Sequence, residues 1–305
     1  MQKQTEHNHR HNQPVNEKNL LMATGLNLLI TVAEMVGGLL SNSLALLSDS
    51  LHNLSDTAAT FIAWIATRIS KKDGSEKKTF GYKRIEILSA MLNATVLVIL
   101  CFYLFREAWF RWKNPEEIDT GIMLAVAMLG LLANIYAAIL LHKDSTKNIN
   151  VRAAYLHLIG DSLSSVAVII GGVLIQLYKI YWIDPLITII IGLFILWQAF
   201  GILKQTVNIL MQATPDSLNL TKIKKKIEAF EEVANMHHVH AWNLTDNDIH
   251  FEAHIELKKD LRVSELQPLR NNIESLLKEQ YNICHFTLQF EFGSDHENTL
   301  ISHRE

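Results

Sequence analysis

Apolar residues fill the first two-thirds of this chain in blocks, separated by short polar stretches. The blocks lie near residues 20–40, 44–68, 86–110, 121–141, 151–178 and 184–210. Each is about as long as the roughly 20 residues a helix needs to cross the hydrocarbon core of a bilayer. Inside a bilayer the backbone must satisfy its own hydrogen bonds, so such blocks are expected as helices. Past residue 212 the pattern changes. Residues 217–231 follow a helical period through Leu218, Ile223, Ile227 and Phe230. Residues 237–244 and 249–257 alternate as strands; in the second, Ile249, Phe251, Ala253, Ile255 and Leu257 share one face, and His250, Glu252, His254 and Glu256 the other. A second helical period runs over 264–280. Residues 284–292 alternate again, with Phe286, Leu288, Phe290 and Phe292 inward and His285, Thr287, Gln289 and Glu291 outward. The pattern predicts an α-helical membrane protein with six transmembrane helices, followed by a small α+β domain with its helices on one face of a sheet.

The expected divisions are a tail at 1–18, a membrane domain at 19–212, a soluble domain at 213–292 and a loose end at 293–305. His7, His9 and His11 lie in the first tail, whose polar composition cannot bury a core; weak metal binding is the alternative reading of such a tract. The opening residues are too polar for a cleavable signal peptide. The net charge of −3 points to no nucleic-acid partner, and Cys101 and Cys284 imply no disulfide framework. Loop charge carries more information. Lys71, Lys72, Lys77, Lys78, Lys83 and Arg84 fall between the second and third blocks, and Lys143, Lys147 and Arg152 between the fourth and fifth. The basic loops are expected on the cytoplasmic side, which puts both termini there. Trp109, Trp112, Tyr178, Tyr181 and Trp182 then gather near the outer ends, as interfacial aromatics do. Short loops and a compact chain favour a bacterial inner membrane.

Ionisable residues inside the apolar blocks are the candidate chemistry, because charge in hydrocarbon is costly and marks pathways and sites. His52 and Asp56 are four apart in the second block and share a helix face; Asp49 falls near the same face. His157 and Asp161 repeat the order and spacing in the fifth. Either pair alone reads equally well as a structural bond between helix turns. Two facing pairs offer two imidazoles and two carboxylates, a set suited to tetrahedral Zn²⁺. Asp49 is a candidate for an outer group supporting the ligands or for part of the ion path. Glu34 either lines an ion path or caps a helix contact. Asn27, Asn93 and Asn134 read as interhelical hydrogen-bonders. Gly171, Gly172 and Gly192 permit close helix packing, and Asp184-Pro185 reads as the start of the sixth block. In the soluble domain, His250, His254, His285 and Glu291 share the outward face, where they form either a metal site or an ordinary solvated surface.

Taken together, the six blocks, the two His-xxx-Asp pairs and the small α+β domain resemble the cation diffusion facilitator family over about residues 20–292. The most specific pieces are Ser43-Leu44-Ala45-Leu46-Leu47-Ser48-Asp49-Ser50-Leu51-His52, Thr79-Phe80-Gly81-Tyr82-Lys83-Arg84, and Ala154-Tyr155-Leu156-His157 running to Asp161. His238-Val239-His240-Ala241-Trp242 and Thr287-Leu288-Gln289-Phe290-Glu291 are similar to the family's cytoplasmic domain. The resemblance implies a ferredoxin-like, metallochaperone-like cytoplasmic domain, a homodimer, and exchange of cytosolic Zn²⁺ for protons across the lipid bilayer. It implies a transport site of His52, Asp56, His157 and Asp161, of the zinc-selective kind, with Cd²⁺ and Co²⁺ as further candidate cargo. It also implies a cytoplasmic site drawn from His240, His254 and Glu291, to which the strand pattern adds His285, and where Gln267 replaces a further histidine of some relatives. Lys78 and Tyr82 stand where some relatives place metal-binding histidines, so no metal is expected in that loop.

Other classes fit less well. His52 and His157 could be axial haem ligands, but the neighbouring aspartates argue against it. A zinc hydrolase lacks its His-Glu-xx-His motif here, and four protein ligands would leave no open coordination position. A membrane metal sensor that binds without transporting differs only in flux.

Overall fold

The structure is a computed structural model that describes residues 17–145, 149–246, 248–293 and 299–300. The histidines of the N-terminal tail and most of the C-terminal tail lie outside them, as does Lys147. Six long helices come first: α1 (Glu17–Ser41), α2 (Leu44–Ser70), α3 (Ile85–Lys113), α4 (Thr120–Ser145), α5 (Ile149–Tyr178) and α6 (Ile183–Leu210). Five of them are long and apolar enough to cross a membrane. The exception is α2, whose apolar run is interrupted by Asp49, His52, Asn53 and Asp56. Large apolar side chains stay exposed on all six, among them Leu39, Phe61, Ile99, Leu129, Leu163 and Trp197. Water would penalise so much exposed apolar surface, whereas lipid tails do not.

By internal contacts the chain divides into two compact units. One holds the described residues up to Ile62 together with Asn93–Gly201; the other holds Ala63–Leu92 and the residues from Ile202 onward. In the first unit, Ala45, Leu46, Leu97, Cys101, Met123, Val168, Ile175, Ile187 and Ile195 form one buried cluster. Small residues set the approach: a Cβ on Gly192 would meet the Phe105 ring at 2.5 Å, and one on Gly172 would meet Leu124 at 2.8 Å. Trp112 and Trp182 come together, ring centroids 5.3 Å apart.

The N-terminus of α2 has an unusual cap. A helix start leaves backbone N–H groups unpaired, and here a carboxylate from another helix takes them. Asp184, at the start of α6 and fully buried, accepts from the Leu44 and Ala45 N–H groups at 2.8 and 3.2 Å and from Ser43 Oγ at 2.5 Å. Beside it, Asn42 adopts positive φ (57°) in the turn between α1 and α2, where Arg111 donates to its carbonyl and its side-chain oxygen. Asp184 therefore does more than begin a helix, as its sequence context suggested: it fixes the end of the element that carries His52 and Asp56.

The second unit contains a three-stranded sheet, β1 (Val233–Asn243), β2 (Ile249–Leu257) and β3 (Ile283–Glu291), in that order. β1 and β2 pair antiparallel, β2 and β3 parallel. A parallel pair needs a crossover, supplied by α8 (Val263–Tyr281); α7 (Leu220–Ile227) precedes the sheet. Ile223, Ile227, Leu269, Ile273 and Leu277 of the helices pack on Phe251, Ala253 and Ile255 of the sheet. The helix–strand–strand–helix–strand order is the one the hydrophobic pattern predicts, with three differences. α7 is shorter than 217–231, because Asn219 caps its start (Lys222 N–H to Asn219 Oδ1, 3.0 Å) and the preceding residues form a turn (Leu218 N–H to Pro215 O, 2.9 Å). Phe292 does not face the core; β3 ends at Glu291 and Phe292 is 55% exposed. β1 starts earlier and is irregular. Its register slips between His237 and His240, so that His237 pairs with His254 but His240 pairs with Glu252. His238 takes the slack with φ of 50°. This is a β-bulge: two residues on one strand, His238 and Val239, oppose one on its neighbour, Ala253.

Candidate metal centre

In the first unit, α2 and α5 bring their two His-xxx-Asp pairs together. His52 Nε2 lies 3.6 Å from Asp56 Oδ2, His157 Nε2 lies 3.6 Å from the same oxygen, and His157 Nε2 lies 3.5 Å from Asp161 Oδ2. The two imidazoles sit edge to face at 6.2 Å. Four residues, one turn apart on each helix, thus form a continuous chain of donor atoms.

These separations are informative because they are too long for charge-assisted hydrogen bonds, which run at about 2.7–2.9 Å. They are close to the edge of a tetrahedron of ligands about 2.0–2.1 Å from a central ion, which is about 3.3 Å. Hydrogen-bond accounting points the same way. Among the described residues, Asp161 Oδ2 is shielded from solvent and has no hydrogen-bond partner. Buried polar groups are nearly always paired, so this unpaired carboxylate oxygen beside His157 suits a cation ligand.

Asp49 and Glu34 are both buried beside this set. Ser164 Oγ lies 2.5 Å from Asp49 Oδ1 and 2.9 Å from the Asp161 carbonyl, so one hydroxyl links the third acidic residue to the ligand-bearing turn of α5. Glu34 accepts from Asn53 Nδ2 at 3.3 Å, and its carboxylate rests against Gly130 of α4. Asn53 is next to His52 in sequence, so Glu34 reaches the same stretch of α2 from the other side.

In the second unit, His254 Nδ1 stands 2.7 Å from Glu291 Oε1 and His237 Nε2 3.5 Å from Glu291 Oε2. Ligand atoms of these three lie within 4.8 Å of one another. Of the residues expected for this site, the structure gathers His254 and Glu291 only. His240 sits against His238 (ring centroids 5.1 Å), and His285 pairs with His250 (4.7 Å) further along the sheet. Gln267 is exposed on α8 and bonds Asn271 at 3.1 Å.

Comparison with known proteins follows this geometry. The family sequence profile described as "Cation efflux transmembrane domain" matches residues 20–211, and that described as "Cation efflux protein, cytoplasmic domain" matches residues 215–292. The chain belongs to the cation efflux family. Among its relatives, the "Cadmium, cobalt and zinc/H(+)-K(+) antiporter" of Bacillus subtilis is 36% identical over 96% of this chain and 95% of its own. The "Zinc transporter ZitB" of Escherichia coli is 36% identical over 95% and 94%. The "Metal cation efflux system protein CzcD" of Cupriavidus metallidurans is 35% identical over 97% and 93%.

The histidine that sequence reading missed in this cation efflux protein is His237. Strict alternation puts it on the same side as Val239 and Ala241, facing the core. The bulge breaks that alternation and leaves the His237 and His238 rings both against His254, at 5.5 and 4.6 Å. A run of two histidines followed by His240 was the one available signal. Burial of His238 and its neighbours His254 and His240 hold its pKa below 6.5, despite the opposing pull of Glu252. Burial and the adjacent His285 do the same to His250, against the pull of Asp248. Both shifts favour the neutral imidazole, the form that binds metal.

Proposed function

We propose that this cation efflux protein is a secondary transporter that exports Zn²⁺ from the cytoplasm in exchange for protons, with Cd²⁺ and Co²⁺ as further cargo. The reading rests on one observation above all: two His-xxx-Asp pairs on separate helices, their donor atoms linked in a chain at 3.5–3.6 Å, with Asp161 Oδ2 buried and unpaired among the described residues. The relatives' names include zinc, cadmium and cobalt, and one names protons.

In this reading His52, Asp56, His157 and Asp161 hold the ion. Two carboxylates balance the charge of a divalent cation, which lowers the cost of taking it into hydrocarbon. Asp49 and Glu34 fix the ligand-bearing turns and extend the polar path. Metal binding needs neutral imidazole and ionised carboxylate, so protons and Zn²⁺ compete for the same four groups. A site that opens alternately to each side would then let inward proton flow drive the ion outward.

The topology that goes with it has all six long helices crossing an inner membrane, α2 included, with its polar stripe turned inward. Basic loops place both termini in the cytoplasm. The membrane domain is taken as residues 19–212 and the cytoplasmic domain as 213–292, and the protein as a homodimer. His237, His254 and Glu291 form a cytoplasmic Zn²⁺ site off the transport route.

The deciding experiment is Zn²⁺ flux into sealed vesicles under an imposed pH gradient. Wild-type protein should move Zn²⁺ with a rate that follows the gradient. Asp56→Ala and Asp161→Ala should fold and insert but carry essentially none. Binding without flux in wild-type protein would instead make this a sensor.

A further inference from the structure

Within the second unit, the loop between α2 and α3 and the sheet line an open cavity of about 650 Å³. Nothing in the proposed transport cycle uses it.

The loop is held in shape. Ser75 and Lys78 exchange two backbone hydrogen bonds of 2.9 Å, and Gly81 donates to the Lys78 carbonyl at 2.9 Å. Gly81 turns with φ of 66°, and a Cβ there would meet the Lys72 carbonyl at 2.8 Å. The turn presents cations in fixed positions. Of the six basic residues in the loop, Lys77, Lys78, Lys83 and Arg84 line the cavity, and neither acidic loop residue, Asp73 nor Glu76, does. Lys83 is neutralised by Asp248 at 2.8 Å, and Lys78 lies over the Tyr82 ring at 4.0 Å. Arg84 is different: its Nε is shielded from solvent and, among the described residues, has no hydrogen-bond partner. A buried guanidinium nitrogen left unpaired is expensive, and its natural partner is an oxyanion.

The remaining wall is apolar. Phe80 and Leu88 are both largely exposed, and Trp242 and Leu244 close the far side. Leu88 lies in the first turns of α3, a helix apolar enough to cross a membrane. The cavity thus combines an unpaired cation, two further lysines and an apolar strip at the mouth of a membrane span.

We propose that this cavity binds an anionic phospholipid, with Arg84, Lys77 and Lys78 on the headgroup phosphate and Phe80 and Leu88 against the acyl chains. The proposal rests on α3 crossing the membrane and on no property of the cargo. A basic pocket on the cytoplasmic side of a membrane helix is suited to acidic headgroups, each nearby Lys or Arg adding about 1 kcal/mol of attraction, or about fivefold in affinity. A free phosphate shares the headgroup chemistry but leaves the apolar strip unused.

The test uses full-length protein in neutral detergent without added Zn²⁺. Retention of phosphatidylglycerol is measured by native mass spectrometry, and its effect on thermal unfolding is followed in parallel. Phosphatidylcholine and inorganic phosphate are the comparison arms. Phosphatidylglycerol should bind in a one-to-one complex, raise the unfolding temperature and outcompete phosphatidylcholine. Arg84→Gln should weaken it about fivefold, and Lys77→Gln with Lys78→Gln at least as much. Lys71→Gln and Lys72→Gln, in the same loop but away from the cavity, should change it little. Equal losses in both lysine pairs would reveal diffuse attraction and overturn the pocket. Displacement of the lipid by millimolar inorganic phosphate would assign the site to free phosphate and overturn the lipid. Should Arg84→Gln fail to fold, the two lysine pairs carry the comparison alone. Because no arm contains Zn²⁺, failure here leaves the transport reading untouched.

Discussion

The four proposed transport ligands are not held alike. The His52 and Asp161 side chains are 12% and 4% exposed, whereas His157 and Asp56 are 38% and 32%. Coordination by the more open pair adapts more readily, while His52 sets the donor type on the closed side. His52→Asp should therefore shift competition between Zn²⁺ and Cd²⁺ toward Cd²⁺, because it replaces a nitrogen donor by an oxygen and adds charge. An unchanged ratio in a two-metal flux assay would remove His52 from the ligand set. The same logic separates two histidines in the soluble domain. His237→Ala should weaken Zn²⁺ binding there at least tenfold and His240→Ala should leave it nearly unchanged, as read by titration with a zinc-sensitive dye in a variant lacking Asp56. The pairs on α2 and α5 were legible in the sequence because helical spacing is regular: residues four apart stay on one face whatever packs around them. His237 was not, because a bulge shifts the face of everything on one side of it, and alternation alone does not reveal where a bulge falls.

Elements show the same division. The six apolar blocks predict α1 to α6 to within a few residues, since in a membrane a long apolar run has no alternative to helix. What fastens those helices was hidden. Asp184 lies 140 residues from the Leu44 amide it caps, and no local pattern announces such a partner. Asp184→Ala leaves the Ser43 hydroxyl and the first two amides of α2 without their acceptor, at a cost of about 1.5–3 kcal/mol for a charged hydrogen-bonding group. It should lower the unfolding temperature in detergent markedly, with Asp184→Asn in between because one acceptor oxygen remains. Equal stability of Asp184→Ala and wild type would show that water caps the helix just as well. The sheet has its own sensitivity. His250 stacks on Trp242 (5.4 Å) with the His285 ring tilted against it (4.7 Å), and its folded pKa is lowered from 6.5. Below about pH 6.5 the unfolded chain takes up a proton that the folded sheet resists, so this contribution is present above 6.5 and fades as pH falls. The domain should lose thermal stability from roughly pH 7.5 to about pH 5.5, and His250→Asn should flatten that slope. An unaltered slope would place the acid sensitivity elsewhere on the sheet.

For the whole molecule, the question is what the proposed metal site on the sheet contributes to movement across the membrane. His237, His254 and Glu291 all lie beyond the last long helix, on a sheet with its own core. An ion bound there has not crossed anything. It can still alter transport if Zn²⁺ binds two arrangements of the protein unequally, since a ligand shifts an equilibrium only by its differential affinity. A cytoplasmic site of moderate affinity would then report the cytosolic Zn²⁺ level and favour the transporting arrangement when the level rises. The double change His254→Ala with Glu291→Ala removes two of the three ligands and leaves the sheet's buried apolar face intact. Flux measured across a range of cytoplasmic-side Zn²⁺ should keep its maximum and shift its half-maximal concentration upward. If the curve is superimposable on wild type, the cluster binds no regulatory ion. If flux vanishes in a variant that still unfolds cooperatively, the domain is an obligatory part of the route, and the division of labour between His52–Asp161 and the sheet has to be redrawn. The concentration dependence separates these outcomes because a lost regulator moves the midpoint, whereas a lost step lowers the ceiling.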